Sequence, residues 1–260
     1  MTARGGPGAV GLRDADLLLS KEDLFRRWAS YHEAGHAVAA WRRGLPPGGR
    51  GLVVDHRGGG VYCHGWMLWR LLVAPPDLVR GTVLAGVEML QAGLLAEHNC
   101  GSECNLYDAS SVRHELSPLL GCHVRGRWGA TCRNIRLSLG CGPDELDDAQ
   151  RALLLLLMYS SRDQGRLVGE PHDPGALDRM YRLAPAAPEE IVCTYLASQR
   201  RVLRALQRPR AWHAVEDLAG ELFDLGRVSP ERAVEIMEAA RVPRSGLPID
   251  ALPFGSRPLA

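Results

Sequence analysis

Residues 31–41 read YHEAGHAVAAW, and this stretch decides both the expected fold and the expected chemistry. Its two histidines, His32 and His36, are four positions apart, so on an α-helix both imidazoles lie on one face, about a turn apart. Glu33 lies beside them, and Gly35 removes side-chain bulk between them. Two imidazoles at this spacing can reach one metal ion, and the glutamate can accept a proton from water. The stretch therefore predicts a helix that carries a metal site and a general base.

The composition is that of an ordinary globular chain: 260 residues, 46% hydrophobic and 23% charged. Its 31 basic and 30 acidic residues leave a net charge of +1, which gives no electrostatic reason to expect a nucleic-acid or membrane partner. The N-terminus has no signal-peptide pattern. The most apolar run, residues 152–158, is far shorter than the roughly 20 residues that span a bilayer. We therefore expect a cytoplasmic protein.

Apolar residues recur every three to four positions over most of the chain, which is typical of helices packed on a core. This spacing predicts about seven helices, at residues 14–41 (with a break near Ser20), 78–98, 107–116, 142–159, 188–207, 212–223 and 230–240. We expect Pro118 to end the third of these, and residues 117–142 to form a loop. Residues 1–12 and 243–260 lack periodicity, so they are expected to be a flexible N-terminus and an irregular tail around one domain at 13–242.

One β element interrupts the helical pattern. Residues 51–56 and 61–69 flank three consecutive glycines at 58–60, which predicts a β-hairpin. The expected fold class is therefore mainly α (α+β), a single helical domain with a small hairpin or sheet beside the helix of residues 31–41.

Two further segments follow the histidine helix in a recognisable order. Residues 92–97 read AGLLAE, and after a loop residues 107–112 read YDASSV and open a helix. Together with residues 31–40, they resemble the peptidase domain of the FtsH family, the ATP-dependent zinc metallopeptidases. Residues 212–234 are similar to the closing helix pair of that family. The resemblance extends over about 25–110 and 188–240, while residues between these segments have no counterpart.

The resemblance implies a metallopeptidase-like fold and a zinc site in which Glu33 is the general base. It implies three zinc ligands, which are His32, His36 and Asp108. A gapless alignment would instead put Asn105 at the third position, and Glu103 or a nearby cysteine is also open. A carboxylate suits zinc better than an amide does, which favours Asp108.

The ATPase module of the family has no counterpart in this chain. A phosphate-binding loop needs a lysine after glycine-rich sequence, and the only lysine is Lys21. The expected function is thus a stand-alone, ATP-independent zinc hydrolase, a metallopeptidase that cleaves the peptide bonds of a peptide or protein substrate. Two alternatives stay open: a non-proteolytic zinc scaffold or binding protein, and a zinc enzyme acting on a small-molecule amide in specialised metabolism. The oligomeric state is not determined by the sequence.

The predicted second strand of the hairpin falls where the family has an edge strand that pairs with extended substrate. Its candidate substrate-binding residues are Val61, Tyr62 and His64. An equally good interpretation is a purely structural hairpin. Strand addition would recognise the backbone of a peptide with little demand on its sequence.

Two groups of residues receive non-functional interpretations. The acidic run Asp144, Glu145, Asp147 and Asp148 is expected to offset the dipole of a helix start, without a metal role. The seven cysteines are expected to be free thiols in a reducing compartment. A second metal site built from them is the less favoured alternative, because their spacing does not form paired Cys-x-x-Cys motifs.

Overall fold

The structure is a computed structural model that describes residues 19–44, 47–49, 51–54, 76–102, 104–122, 128–142, 145–159 and 188–244. Eight helices lie in these segments: α1 (Lys21–Arg42), α2 (Pro76–Cys100), α3 (Ala109–Cys122), α4 (Trp128–Leu139), α5 (Asp148–Tyr159), α6 (Pro188–Leu206), α7 (Pro209–Leu225) and α8 (Pro230–Ala239). Two short strands, β1 (Leu52–Val53) and β2 (Arg227–Val228), complete the secondary structure of these segments. The prediction of a mainly helical fold with a small β element is confirmed.

The prediction that Pro118 ends a helix is wrong. Helix α3 continues through Pro118 to Cys122. Proline removes one backbone donor and crowds the preceding turn, but tertiary packing can outweigh that cost. Here the buried face of the helix continues past the proline, from Leu116 to Leu119 and Cys122.

Residues 117–142 were expected to be a loop, and this prediction is also wrong, because they include α4. The helix buries Thr131 and Ile135, which lie one turn apart on the same face. The glycines and cysteines around this segment obscured the short apolar periodicity that these two positions carry.

The two strands come from distant parts of the chain. They pair antiparallel, with Leu52 opposite Val228 and Val53 opposite Arg227. The segment around β2 was expected to be only a turn between helices. Gly226 begins the change of direction, because its left-handed backbone (φ 73°) ends α7 and its N–H donates to the carbonyl of Leu222. The predicted partner strand, residues 61–69, lies outside the described residues.

The chain divides into two compact units, each with an apolar core. The first comprises residues 1–63, 92–106 and 202–244, and the second comprises 64–91, 107–201 and 245–260. In the described part of the chain, no helix combines the length and the apolar character needed to cross a membrane.

In the first unit, α1 is the central helix and α7 packs along it. Ser20 caps the N-terminus of α1, because its hydroxyl accepts a hydrogen bond from the N–H of Asp23 at 3.0 Å. At the other end, Trp41 Nε1 donates to the carbonyl of Val242 at 3.3 Å. The core of this unit is rich in small side chains: Ala34, Ala37, Ala39, Ala92, Ala96, Ala211, Ala214, Ala219 and Ala233.

The core of the second unit is built from large side chains. Helix α5 supplies a continuous run of buried residues from Ala152 to Leu157. Its neighbours in the core include Leu116, Leu119, Ile135, Ile191 and Tyr195. Leucine and isoleucine side chains therefore fill most of the space between the helices of this unit.

Candidate metal centre

Both histidines of the predicted motif lie on α1, one turn apart. The ring centroids of His32 and His36 are separated by 4.5 Å, with the rings nearly perpendicular. His36 is only 6% exposed and the neighbouring Glu33 only 5% exposed. Helix α1 therefore presents two imidazoles and a carboxylate at the point where it enters the core of the first unit.

Gly35 brings the C-terminal end of α2 against this part of α1. A Cβ atom at Gly35 would lie 2.4 Å from the carbonyl oxygen of Ala92 and 2.6 Å from the Cβ of Ala96. Any side chain at position 35 would therefore force the two helices apart. The sequence suggested that Gly35 makes room between the ligands, but it actually makes room for α2.

Glu97 on α2 reaches the first histidine because of this close approach. Its Oε1 atom is hydrogen bonded to Nδ1 of His32. Both side chains are about four-fifths buried, with exposed fractions of 23% for His32 and 21% for Glu97. A carboxylate at Nδ1 orients the imidazole and directs the lone pair of Nε2 outward, the usual arrangement behind a metal-ligating histidine.

His32 and His36 are two ligating side chains within the first unit that could share a metal ion. Two imidazoles are donors that suit a divalent transition metal, including zinc. The donor chemistry thus fits a metal site, without specifying which metal.

Asp147 and Asp148 stand at the start of α5, as expected from the acidic run. Asp147 caps the helix by accepting the N–H of Gln150 at 2.8 Å. Asp148 is the first residue of α5, and Nη1 of Arg151 lies 3.6 Å from its Oδ1.

Asp108, the predicted third ligand, precedes α3 and caps it. Its Oδ1 accepts hydrogen bonds from the N–H of Ser111 at 2.7 Å and from the hydroxyl of the same residue at 2.9 Å. These bonds hold the pKa of the exposed Asp108 carboxyl below its usual value. The alternative ligand Glu103 lies outside the described residues. The ligand roles of Asp108 and Asn105 stay predictions.

The two cysteines near the end of α2 interact with the backbone of that helix. Cys100 Sγ donates to the carbonyl of Glu97 at 3.1 Å, and Cys104 Sγ to the carbonyl of Leu94 at 3.5 Å. Burial raises the pKa of Cys100 to about 12 and also raises the pKa of Cys104. Both thiols are therefore protonated at neutral pH in the metal-free protein.

The six described cysteines are thiols outside any disulfide, as expected. In the part of the chain that the structure describes, none of the six lies in a group of three side chains able to hold a metal ion. Cys63 and the candidate substrate-binding residues Val61, Tyr62 and His64 lie outside the described residues. Their predicted role stays a prediction.

No family model matches this chain, and neither a curated protein nor a solved structure matches it. The similarity to the FtsH peptidases therefore stays a prediction made from the residues quoted above. The function that follows rests on the geometry of α1 and α2.

Proposed function

We propose that this protein is a zinc-dependent hydrolase that cleaves an amide bond, most simply a peptide bond. His32 and His36 bind the zinc ion, and Glu33 is the general base. A third, anionic ligand completes the set, and Asp108 stays the residue that the sequence predicts for it. This function does not require an attached ATPase.

The observation that carries the proposal is the hydrogen bond between Glu97 and Nδ1 of His32. A pair of histidines one turn apart occurs on many helices without any metal. A largely buried carboxylate that holds one of them by Nδ1 is the support that metal-ligating histidines usually have. It is also what distinguishes this pair from surface histidines such as His213, whose Nε2 lies 3.5 Å from the exposed carboxylate of Asp217.

The buried Glu33 supports an enzyme over a scaffold. When bound, zinc would supply Lewis-acid activation of water and of the amide carbonyl. Glu33 follows His32 directly in the chain and is only 5% exposed. In this proposal its carboxylate accepts a proton from the attacking water and returns it to the leaving amine. A site whose role is only structural has no need of a buried base at this position.

The metal proposal is tested by elemental analysis of the purified full chain. We expect about one zinc per chain and loss of that zinc in His36→Ala. His213→Ala is the matched control, because it removes an exposed histidine on α7 and should leave the zinc content unchanged. Full metal content in His36→Ala would refute the site, and iron or manganese in place of zinc would correct the metal.

Glu33→Gln separates the enzyme from the scaffold. The variant should keep zinc and fold, because Glu33 is not a ligand, and should lose a factor of about 10² to 10⁴ in hydrolysis rate. The assay uses quenched fluorescent peptides, an unfolded protein and simple amides in parallel. Equal rates for the wild type and the variant, after subtraction of the buffer rate, would contradict the role of Glu33. Zinc binding with no hydrolysis of any probe would favour the scaffold.

The third ligand is tested by Asp108→Ala against Asn105→Ala. If the prediction from the sequence holds, the first should weaken zinc binding sharply, while the second should leave it unchanged. Asp108→Ala should also slightly lower the melting temperature of the metal-free protein at neutral pH, because it removes the cap of α3. Since the folded-state pKa of Asp108 is lowered, its stabilising effect is present above the unfolded pKa of about 4 and shrinks as the pH falls. Unchanged zinc binding in Asp108→Ala would refute its role as a ligand.

A further inference from the structure

Helix α2 contacts α1 through two neighbouring pairs of residues, each spaced by one turn. Ala92 and Ala96 face Gly35, as their close approach to its Cβ position shows. The second pair consists of the residues that directly follow these alanines, Gly93 and Glu97, and both contact His32. One turn of α2 therefore provides one pair for helix packing and one pair for the imidazole.

Gly93 lies directly against the ring of His32. A Cβ atom at this position would be 2.5 Å from Nε2, 2.6 Å from Cδ2 and 2.7 Å from Cε1 of that histidine. All three distances are shorter than real contacts of a Cβ atom. A methyl group that lay in the plane of the ring, beyond Nε2, would be clearly farther from the two carbons than from Nε2. The three nearly equal distances therefore place the methyl group above the face of the ring. The ring thus lies flat on the backbone of α2 at Gly93.

We infer that Gly93 is a positioning residue for His32. The imidazole packs flat against the helix backbone at Gly93, while Glu97 is hydrogen bonded to its Nδ1. This inference deepens the proposed function and depends on it for the role of the metal. A side chain at position 93 would lift the ring, separate Nδ1 from Glu97 and turn Nε2 away from the direction it now has.

Backbone conformation gives no alternative reason for a glycine here. Gly93 lies inside the 25-residue helix α2, and it is not among the glycines with a positive φ angle. A glycine inside a helix lowers the stability of the helix relative to an alanine. The presence of a glycine at position 93 is therefore explained by the need to have no side chain there. Gly220 is a suitable comparison, because it is also helical but a Cβ there would meet nothing within 4 Å.

The first test measures the zinc affinity of the full chain by competition with a chelator. Gly93→Ala should bind zinc about 10- to 100-fold more weakly than the wild type, the usual effect of disturbing the support of a ligating histidine. Gly220→Ala should bind zinc as the wild type does. Wild-type affinity in Gly93→Ala would overturn the inference.

The second test needs no metal and separates the imidazole contact from a general packing defect. Melting temperatures are measured on metal-free protein for Gly93→Ala in the wild-type background and in the His32→Ala background. The substitution should lower the melting temperature in the first background and leave it unchanged or raise it in the second, because the ring is gone and alanine favours the helix. An equal fall in both backgrounds would overturn the inference.

The two tests also distinguish this inference from the proposed function. If wild-type protein binds no zinc, the proposed function fails, while the metal-free cycle still decides whether Gly93 supports the ring of His32. If wild-type protein binds zinc and either expectation for Gly93→Ala fails, the proposed function stands and the positioning role is refuted.

Discussion

Helices α1 and α5 are both buried over six or more consecutive residues, but with opposite kinds of side chain. The buried stretch of α1, from Glu33 to Trp41, consists mostly of alanine and glycine. The buried stretch of α5, from Ala152 to Leu157, consists of one alanine and five leucines. Each helix is central to the core of its own unit.

The difference shows how one chain assigns packing and chemistry to different helices. Small side chains on α1 let the backbone of α2 approach so closely that Glu97 reaches His32. Large side chains on α5 fill space and exclude water, which stabilises the unit by burial of apolar surface. We therefore expect α1 to be sensitive to added atoms and α5 to be sensitive to removed atoms.

The largest stability effect is expected from removing a leucine side chain of α5. Leu157 is 0% exposed, so Leu157→Ala should lower the free energy of unfolding by about 3 to 5 kcal/mol through lost burial and a cavity. The measurement is chemical denaturation monitored by circular dichroism. Leu137, at 78% exposed on α4, is the matched leucine, and Leu137→Ala should change stability by less than about 0.5 kcal/mol. Similar values for the two variants would break the distinction between the helices.

An intermediate effect is expected from adding one methyl group to α1. Gly35→Ala should lower the free energy of unfolding by about 1 to 3 kcal/mol, because the carbonyl of Ala92 is backbone and cannot turn aside. The same substitution at Gly220 on α7 should be neutral or stabilise by up to about 1 kcal/mol. Thermal and denaturant unfolding of the metal-free proteins measure both. A stabilising Gly35→Ala would show that the close approach of α1 and α2 is not required.

The smallest effect is expected at the starts of the two helices, where they are alike. Ser20 caps α1 and Asp147 caps α5, each through a side-chain oxygen that accepts a backbone N–H three residues later. Ser20→Ala and Asp147→Ala should each cost about 1 kcal/mol. If the two losses of unfolding free energy agree within error, the difference between α1 and α5 lies in their buried stretches. A clearly larger cost at one cap would mean that the helix ends differ as well.

Local patterns in the sequence were enough to predict most of the helices. The spacing of apolar residues predicted α2, α6, α7 and α8 nearly to their ends, and the break near Ser20 coincides with the cap of α1. The four-residue spacing of His32 and His36 was likewise enough to place both imidazoles on one face. These features depend on residues within a turn or two of each other, so they can be predicted without knowing the fold.

Features that depend on distant parts of the chain could not be predicted in the same way. Whether a helix tolerates Pro118 depends on the apolar surface that its last turn buries. The partner of Leu52–Val53 is a strand more than a hundred residues later in the chain. Local propensity contains no information about either.

The same distinction between local and long-range features applies to the residues of the candidate site. The sequence by itself determined His32, Glu33 and His36, because a helix of fixed pitch turns their spacing into one chemical face. Only the tertiary structure decided that Gly35 and Gly93 admit α2 and that Glu97 holds His32, because these contacts join residues that are far apart in the chain.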